Sequence, residues 1–145
     1  LRRSHALSFA RWAASGALWI ILLYGFIGSV MLREEQPDIA HSLHGGWLLA
    51  IVATQAVSLL GTRVVDQAGR GSELLLFGML ALFLLGCLLY FYIGGAVFFR
   101  LLFLRPVAAA LTPLYWIAMG AAAITVVAGA TLIESVAEWL SLIHI

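Results

Sequence analysis

The sequence predicts an all-α integral membrane fold of four antiparallel transmembrane helices. Three observations predict it. Hydrophobic residues make up 63% of the 145 and charged residues only 10%, where soluble domains carry about 25% charged, and mean hydropathy is +1.06. The charges bracket four uncharged runs, at about residues 12–32, 43–61, 74–99 and 112–133, each near the ~20 residues a helix needs to cross a bilayer. The breaks between them are short, which makes neighbouring helices antiparallel.

The first run, from Trp12 to Leu32, lies between Arg11 and Arg33, which read as snorkelling anchors. Gly16, Gly25 and Gly28 inside it are tolerable in lipid, where backbone hydrogen bonds close within the helix. A polar break follows with Glu34, Glu35, Pro37 and Asp38. His41 and His44 stand beside these acids and invite a metal reading. A zinc site wants three or four committed ligands, so solvated polar residues at a helix entry are the plainer account.

The second run is the most polar of the four. Thr54, Gln55 and Ser58 crowd one side of it. They read either as a pore lining, offering hydrogen bonds to a passing anion without trapping it, or as interhelical ties, since polar side chains in lipid must find partners. After a loop with Arg63, Asp66 and Arg70, the third run is greasy in every direction, as befits a lipid-facing helix. Tyr90, Phe91, Tyr92, Phe98 and Phe99 thicken toward its end like an interfacial belt. Arg100, Arg105 and Pro106 close it.

The fourth run opens with Pro113, where a missing N–H costs nothing at a helix start. Tyr115 and Trp116 follow as expected interfacial anchors, and then the side chains turn small. Ala121, Thr125 and Gly129 recur every fourth residue and share one face. That face either lets another helix approach closely or widens a path. Glu134 and Glu138 come after it and read as solvated at headgroup level. The runs thus alternate greasy, polar, greasy, small-faced.

Several function classes drop out. The arginines are scattered and form no basic stripe, so nucleic acid is not an expected partner. One cysteine, Cys87, offers no disulfide framework. No Gly-x-Ser-x-Gly, His-Glu-x-x-His or phosphate-cradling glycine loop occurs, so no enzyme, catalytic residue, cofactor or metal is expected. No ionisable side chain lies deep in a span, which argues against a proton relay.

Two stretches together resemble a known family. Residues 45–58, from Gly45-Gly46-Trp47 through Thr54-Gln55 to Ser58, and residues 111–121, from Leu111-Thr112-Pro113 through Tyr115-Trp116 to Met119-Gly120-Ala121 and on to Gly129, are similar to two signatures of the tellurite-resistance/C4-dicarboxylate transporter family, whose relatives include the plant slow anion channels. The resemblance covers roughly Trp12 to Glu134. It implies a ten-helix bundle of five hairpins around a central anion path, trimeric assembly, and a place for this chain at about the fourth to seventh helices. The second and fourth runs would then be inner helices, with Thr54, Gln55, Ser58, Ala121, Thr125 and Gly129 as pore-lining residues.

The expected function is transport of small anions, C4-dicarboxylates such as malate or sulfite- and tellurite-type oxyanions, across a cell membrane, the bacterial inner membrane. The competing class is a membrane scaffold or assembly subunit whose small-faced helices only bind other helices. Counting arginines would place residues 62–73 in the cytoplasm, whereas the resemblance implies that 33–42 and 100–112 lie there, and the latter is preferred. The phenylalanine that blocks the pore in that family belongs to a later helix, so no residue here inherits the gate. Residues 1–138 are expected to be a piece of one transmembrane domain, because the chain opens on Leu1 and ends abruptly. Residues 139–145 stand apart, as Ser141 to Ile145 resemble translated read-through of a sequencing adapter.

Overall fold

Lipid offers a backbone no hydrogen-bond partners, so a spanning segment must satisfy its own N–H and C=O groups, and the helix does this. The computed structural model describes residues 2–32, 45–68, 73–103 and 113–143, and among them the chain is helical with no strand. Helix α1 spans Arg2–Met31. A 3-10 turn, Gly45–Leu48, leads into α2, Leu49–Ala68. Helix α3, Glu73–Leu89, passes through a π-turn at Tyr90–Gly94 into α4, Gly95–Phe103, so the three form one long rod. A second 3-10 turn, Pro113–Trp116, leads into α5, Ile117–Ile143. Four of these rods are long and apolar enough to cross a membrane: Ala6–Met31, Gly45–Asp66, Glu73–Phe103 and Ile117–Ser141. The metal reading at His41 and His44, and Arg33, Arg70 and Arg105, lie outside the described residues.

The rods overrun the expected runs where a charge did not stop them. Helix α5 continues past residue 133 through Glu134 and Glu138, both exposed, because glutamate is a good helix former and keeps its carboxylate solvated on the open side. Helix α4 likewise carries Arg100 and ends at Phe103.

Helix α2 is the centre, packing against α1, α3 and α5. Of its most apolar window 56% is buried, against 0% for α1 and 17% for each of the other two rods. Between lipid-solvated helices there is no hydrophobic force, because acyl chains are as apolar as leucine; close packing and polar ties decide which helix is enclosed. The most polar span therefore sits inside.

The close packing is built on three glycine notches. A Cβ at Gly61 of α2 would overlap Met79 Sδ of α3. A Cβ at Gly86 of α3 would lie 2.6 Å from the Gln55 amide of α2, and one at Gly129 of α5 would lie 3.1 Å from the Phe83 ring of α3. Each notch takes a bulky side chain from the neighbouring rod, which is how small residues let helices approach. Leu48, Ile51, Ile93, Val97 and Ala121 form one buried cluster; Val65, Leu76, Met79 and Leu132 form another.

Candidate functional site at the inner helices

Thr54, Gln55 and Ser58 of α2 are fully buried, and each makes a traceable hydrogen bond. The Trp19 indole donates to Thr54 Oγ1 at 3.0 Å, while Thr54 Oγ1 donates to the Ala50 carbonyl at 2.7 Å. Ser58 Oγ donates to the Met79 carbonyl at 2.9 Å. Gln55 Nε2 reaches the Phe83 carbonyl at 3.4 Å and Cys87 Sγ at 3.8 Å, and Gln55 Oε1 is buried without a partner among the described residues. The Trp12 indole adds a bond to the Val57 carbonyl at 3.2 Å. Thr54, Gln55 and Ser58 thus face α1 and α3, and this arrangement is that of interhelical ties. The side of α2 that its neighbours leave uncovered carries Leu49, Ala53, Leu60 and Arg63 instead.

Helix α5 divides in the same way. Ala121 is fully buried in the cluster with Leu48 and Ile51. Thr125 donates to the Ala121 carbonyl at 2.7 Å and borders a cavity of about 270 Å³ with Cys87, Tyr90 and Ala122. Gly129 lies against Phe83. The small face picked out by its spacing is therefore the packed one. The chain has a second slender face that the spacing of Ala121, Thr125 and Gly129 hid. Gly120, Ala123, Val127 and Ala130 are exposed, and at about 100° per residue they share one side, opposite Thr125. A Cβ at Gly120 would meet nothing within 4 Å.

At one end of the bundle α2 and α5 are tied by Ser135 Oγ, whose single proton is donated to Asp66 Oδ1 at 2.8 Å, with the Thr131 carbonyl as its other acceptor at 3.1 Å. Ser135→Ala is expected to lower the stability of the complete protein by about 1 kcal/mol, read as a lower thermal midpoint in detergent. An unchanged midpoint would mean the tie contributes nothing. All the described carboxylates, Asp66, Glu73, Glu134 and Glu138, lie toward that end.

The opposite end holds Arg100. It is 9% exposed and donates to the Tyr115 hydroxyl. Tyr115 is correspondingly half-buried, whereas Trp116 beside it is exposed in the manner of an interfacial anchor. Trp47 packs edge-on against Phe26 of α1, ring centroids 4.8 Å apart. Neither the Arg100–Tyr115 pair nor the π-turn before it was legible from residue spacing.

Comparison with known proteins agrees with this architecture. A family model described as voltage-dependent anion channel matches residues 3–143. Proteins from two strains of Mycobacterium tuberculosis, each described as an uncharacterized membrane protein, are 58% identical over 48 residues. The aligned stretch is 32% of this chain and 23% of the length of each relative. No solved structure matches the chain.

Proposed function

This chain belongs to the voltage-dependent anion channel family, and from that premise we propose that it forms a length of the wall of a membrane path for small anions. Helices α2 and α5 supply the wall, and α1 with the α3–α4 rod shields them from lipid. The observation that carries this reading is the division of labour on the two inner helices: polar side chains are directed into the helix seams, and a slender, uncharged face is left uncovered on α5.

On this reading the lining differs from the expected one. Thr54, Gln55 and Ser58 hold the wall together from behind, with Ala121, Thr125 and Gly129 on the packed side of α5. Ala53 on α2 and Gly120, Ala123, Val127 and Ala130 on α5 border the path. A wall of this kind has no cation at mid-depth to trap an anion. Selectivity along this stretch then comes from the potential at the mouths. The substrates are small anions, C4-dicarboxylates such as malate or sulfite- and tellurite-type oxyanions. The setting is a bacterial inner membrane, in a homo-oligomer of larger ten-helix subunits, trimeric by family resemblance.

The ties of Thr54, Gln55 and Ser58 favour a second reading, a scaffold whose helices only bind helices. Anion flux into liposomes separates the two. The complete protein is expected to pass radiolabelled malate or sulfite down a gradient, and Ala123→Trp, which fills the uncovered face, is expected to cut that flux at least tenfold. No flux of any tested anion above protein-free liposomes leaves the scaffold.

A further inference from the structure

We propose that Arg11 and Arg63 together form an anion-gathering mouth, an entry site for the carboxylate or oxyanion of the permeant anion; this rests on the reading of α2 and α5 as the wall of a path. Helix α1 runs antiparallel to α2, since the Trp12 indole meets the Val57 carbonyl and Phe26 meets Trp47. Arg11 and Arg63 therefore belong to the same end of the bundle, and both are exposed. Arg63 closes the uncovered stripe of α2 that carries Leu49, Ala53 and Leu60. Arg11 flanks that stripe from α1. It shares one side of the helix with Leu18 and Leu22, and Leu22 lines a cleft of about 460 Å³ whose far wall includes Leu49 and Ala53.

An exposed arginine at a span end also suits a snorkelling anchor, and two observations favour the mouth. First, both guanidinium groups are left without a hydrogen bond or ion pair among the described residues. Asp66 lies three residues after Arg63, a spacing at which a helix pairs opposite charges. Its carboxylate instead takes the Ser135 hydroxyl of α5 at 2.8 Å, which holds it off Arg63.

Second, the charges are ordered by depth. Helices α2 and α5 run parallel, with Ile51 clustered with Ala121 and Asp66 bonded to Ser135. Glu134 thus stands level with Asp66 and Glu138 farther out, whereas Arg63 lies about one turn deeper. Glu73 opens α3 on the packed side of α2. An anion moving inward along the uncovered face passes the carboxylates first and meets the arginines last, before a wall without charge. Cations beside low-dielectric walls concentrate anions, and exposed guanidinium groups hold them loosely enough to release them inward.

Initial flux of radiolabelled malate or sulfite tests this, with the complete protein in phosphatidylcholine liposomes and anion concentration varied at low ionic strength. Arg11→Gln and Arg63→Gln are each expected to raise KM about fivefold, the order of one contact between unit charges in water, with maximal flux unchanged. Arg11→Lys and Arg63→Lys keep the charge and are expected to keep the wild-type KM. Ser135→Ala, which frees Asp66 to pair with Arg63, is expected to raise KM, and adding Asp66→Asn to restore it. About 1 M impermeant salt, with a Debye length of about 3 Å, is expected to erase the glutamine effects. A wild-type KM in the double glutamine variant overturns the proposal and leaves the path standing, whereas no flux from wild type removes both. A KM shift that persists in the salt, or that needs phosphatidylglycerol in the liposomes, also overturns it, in favour of arginines that only anchor helices on lipid headgroups.

Discussion

Gly86→Ala in the complete protein is expected to destabilise the bundle by about 2 kcal/mol, the range of overpacking in a filled core. The new methyl group would sit 2.6 Å from Cδ and Nε2 of Gln55. That side chain has nowhere to go: Gln55 is fully buried, and its amide is already held against the Phe83 carbonyl. Moving it breaks the hydrogen bond and strands a second polar atom beside the buried Gln55 Oε1, which has no partner among the described residues. An unsatisfied buried amide costs more than its bond contributes. The same account predicts rescue. Gln55→Ala removes the obstruction, so the double variant is expected to be more stable than Gly86→Ala alone. A double-mutant cycle on thermal midpoints measures this coupling, and strict additivity would show that the notch is not what seats α2 against α3.

Deleting Tyr92 from the π-turn is expected to cost more, about 3 kcal/mol. One residue fewer removes the wide turn and changes the phase of the rest of the rod, carrying α4 and Arg100 with it. The guanidinium would leave Tyr115 and face apolar surroundings, and an arginine so placed costs about 3 kcal/mol on insertion scales. Tyr115→Phe, which removes only the acceptor, is expected to cost about 1 kcal/mol. Unfolding of the two variants in detergent checks the ordering. If the deletion proves no worse than Tyr115→Phe, the π-turn does not aim Arg100.

The four spans were legible in the sequence because their signal is physical and local: no helix can carry charges through hydrocarbon, so the runs of uncharged residues show directly. The central place of α2 was legible too, since Thr54, Gln55 and Ser58 would be intolerable against acyl chains. Which partners they take was not legible. Spacing puts them on one side of a helix, but the Trp12 and Trp19 indoles come from α1 and the carbonyls of Phe83 and Met79 from α3. The glycine notches failed for a similar reason. Gly86 reads as one more small residue until the amide of Gln55 is seen filling its missing side chain.

Helix α5 shows why periodicity alone does not choose a side. Its sequence is small nearly all round, so Ala121-Thr125-Gly129 and Gly120-Ala123-Val127-Ala130 both make slender faces. Only packing distinguishes them, with Leu48, Ile51 and Phe83 closing over the first and leaving the second open. The π-turn had no sequence signature at all. Five residues Tyr90–Gly94 with aromatic and glycine content look helical, and the wider turn shows only in the structure.

The central claim is that the uncovered face of α5 borders the anion path while the face bearing Thr125 does not. Single cysteines at Ala123, Ala130, Thr125 and the lipid-facing Ile21, in a Cys87→Ser background of the complete protein, test it most directly. A negatively charged, membrane-impermeant thiol reagent is applied to proteoliposomes, and flux is followed. Ala123→Cys and Ala130→Cys are expected to be modified, to lose flux on modification, and to be protected by excess permeant anion, with Thr125→Cys and Ile21→Cys inert. Reaction and block at Thr125→Cys, with Ala123→Cys and Ala130→Cys untouched, would contradict the account.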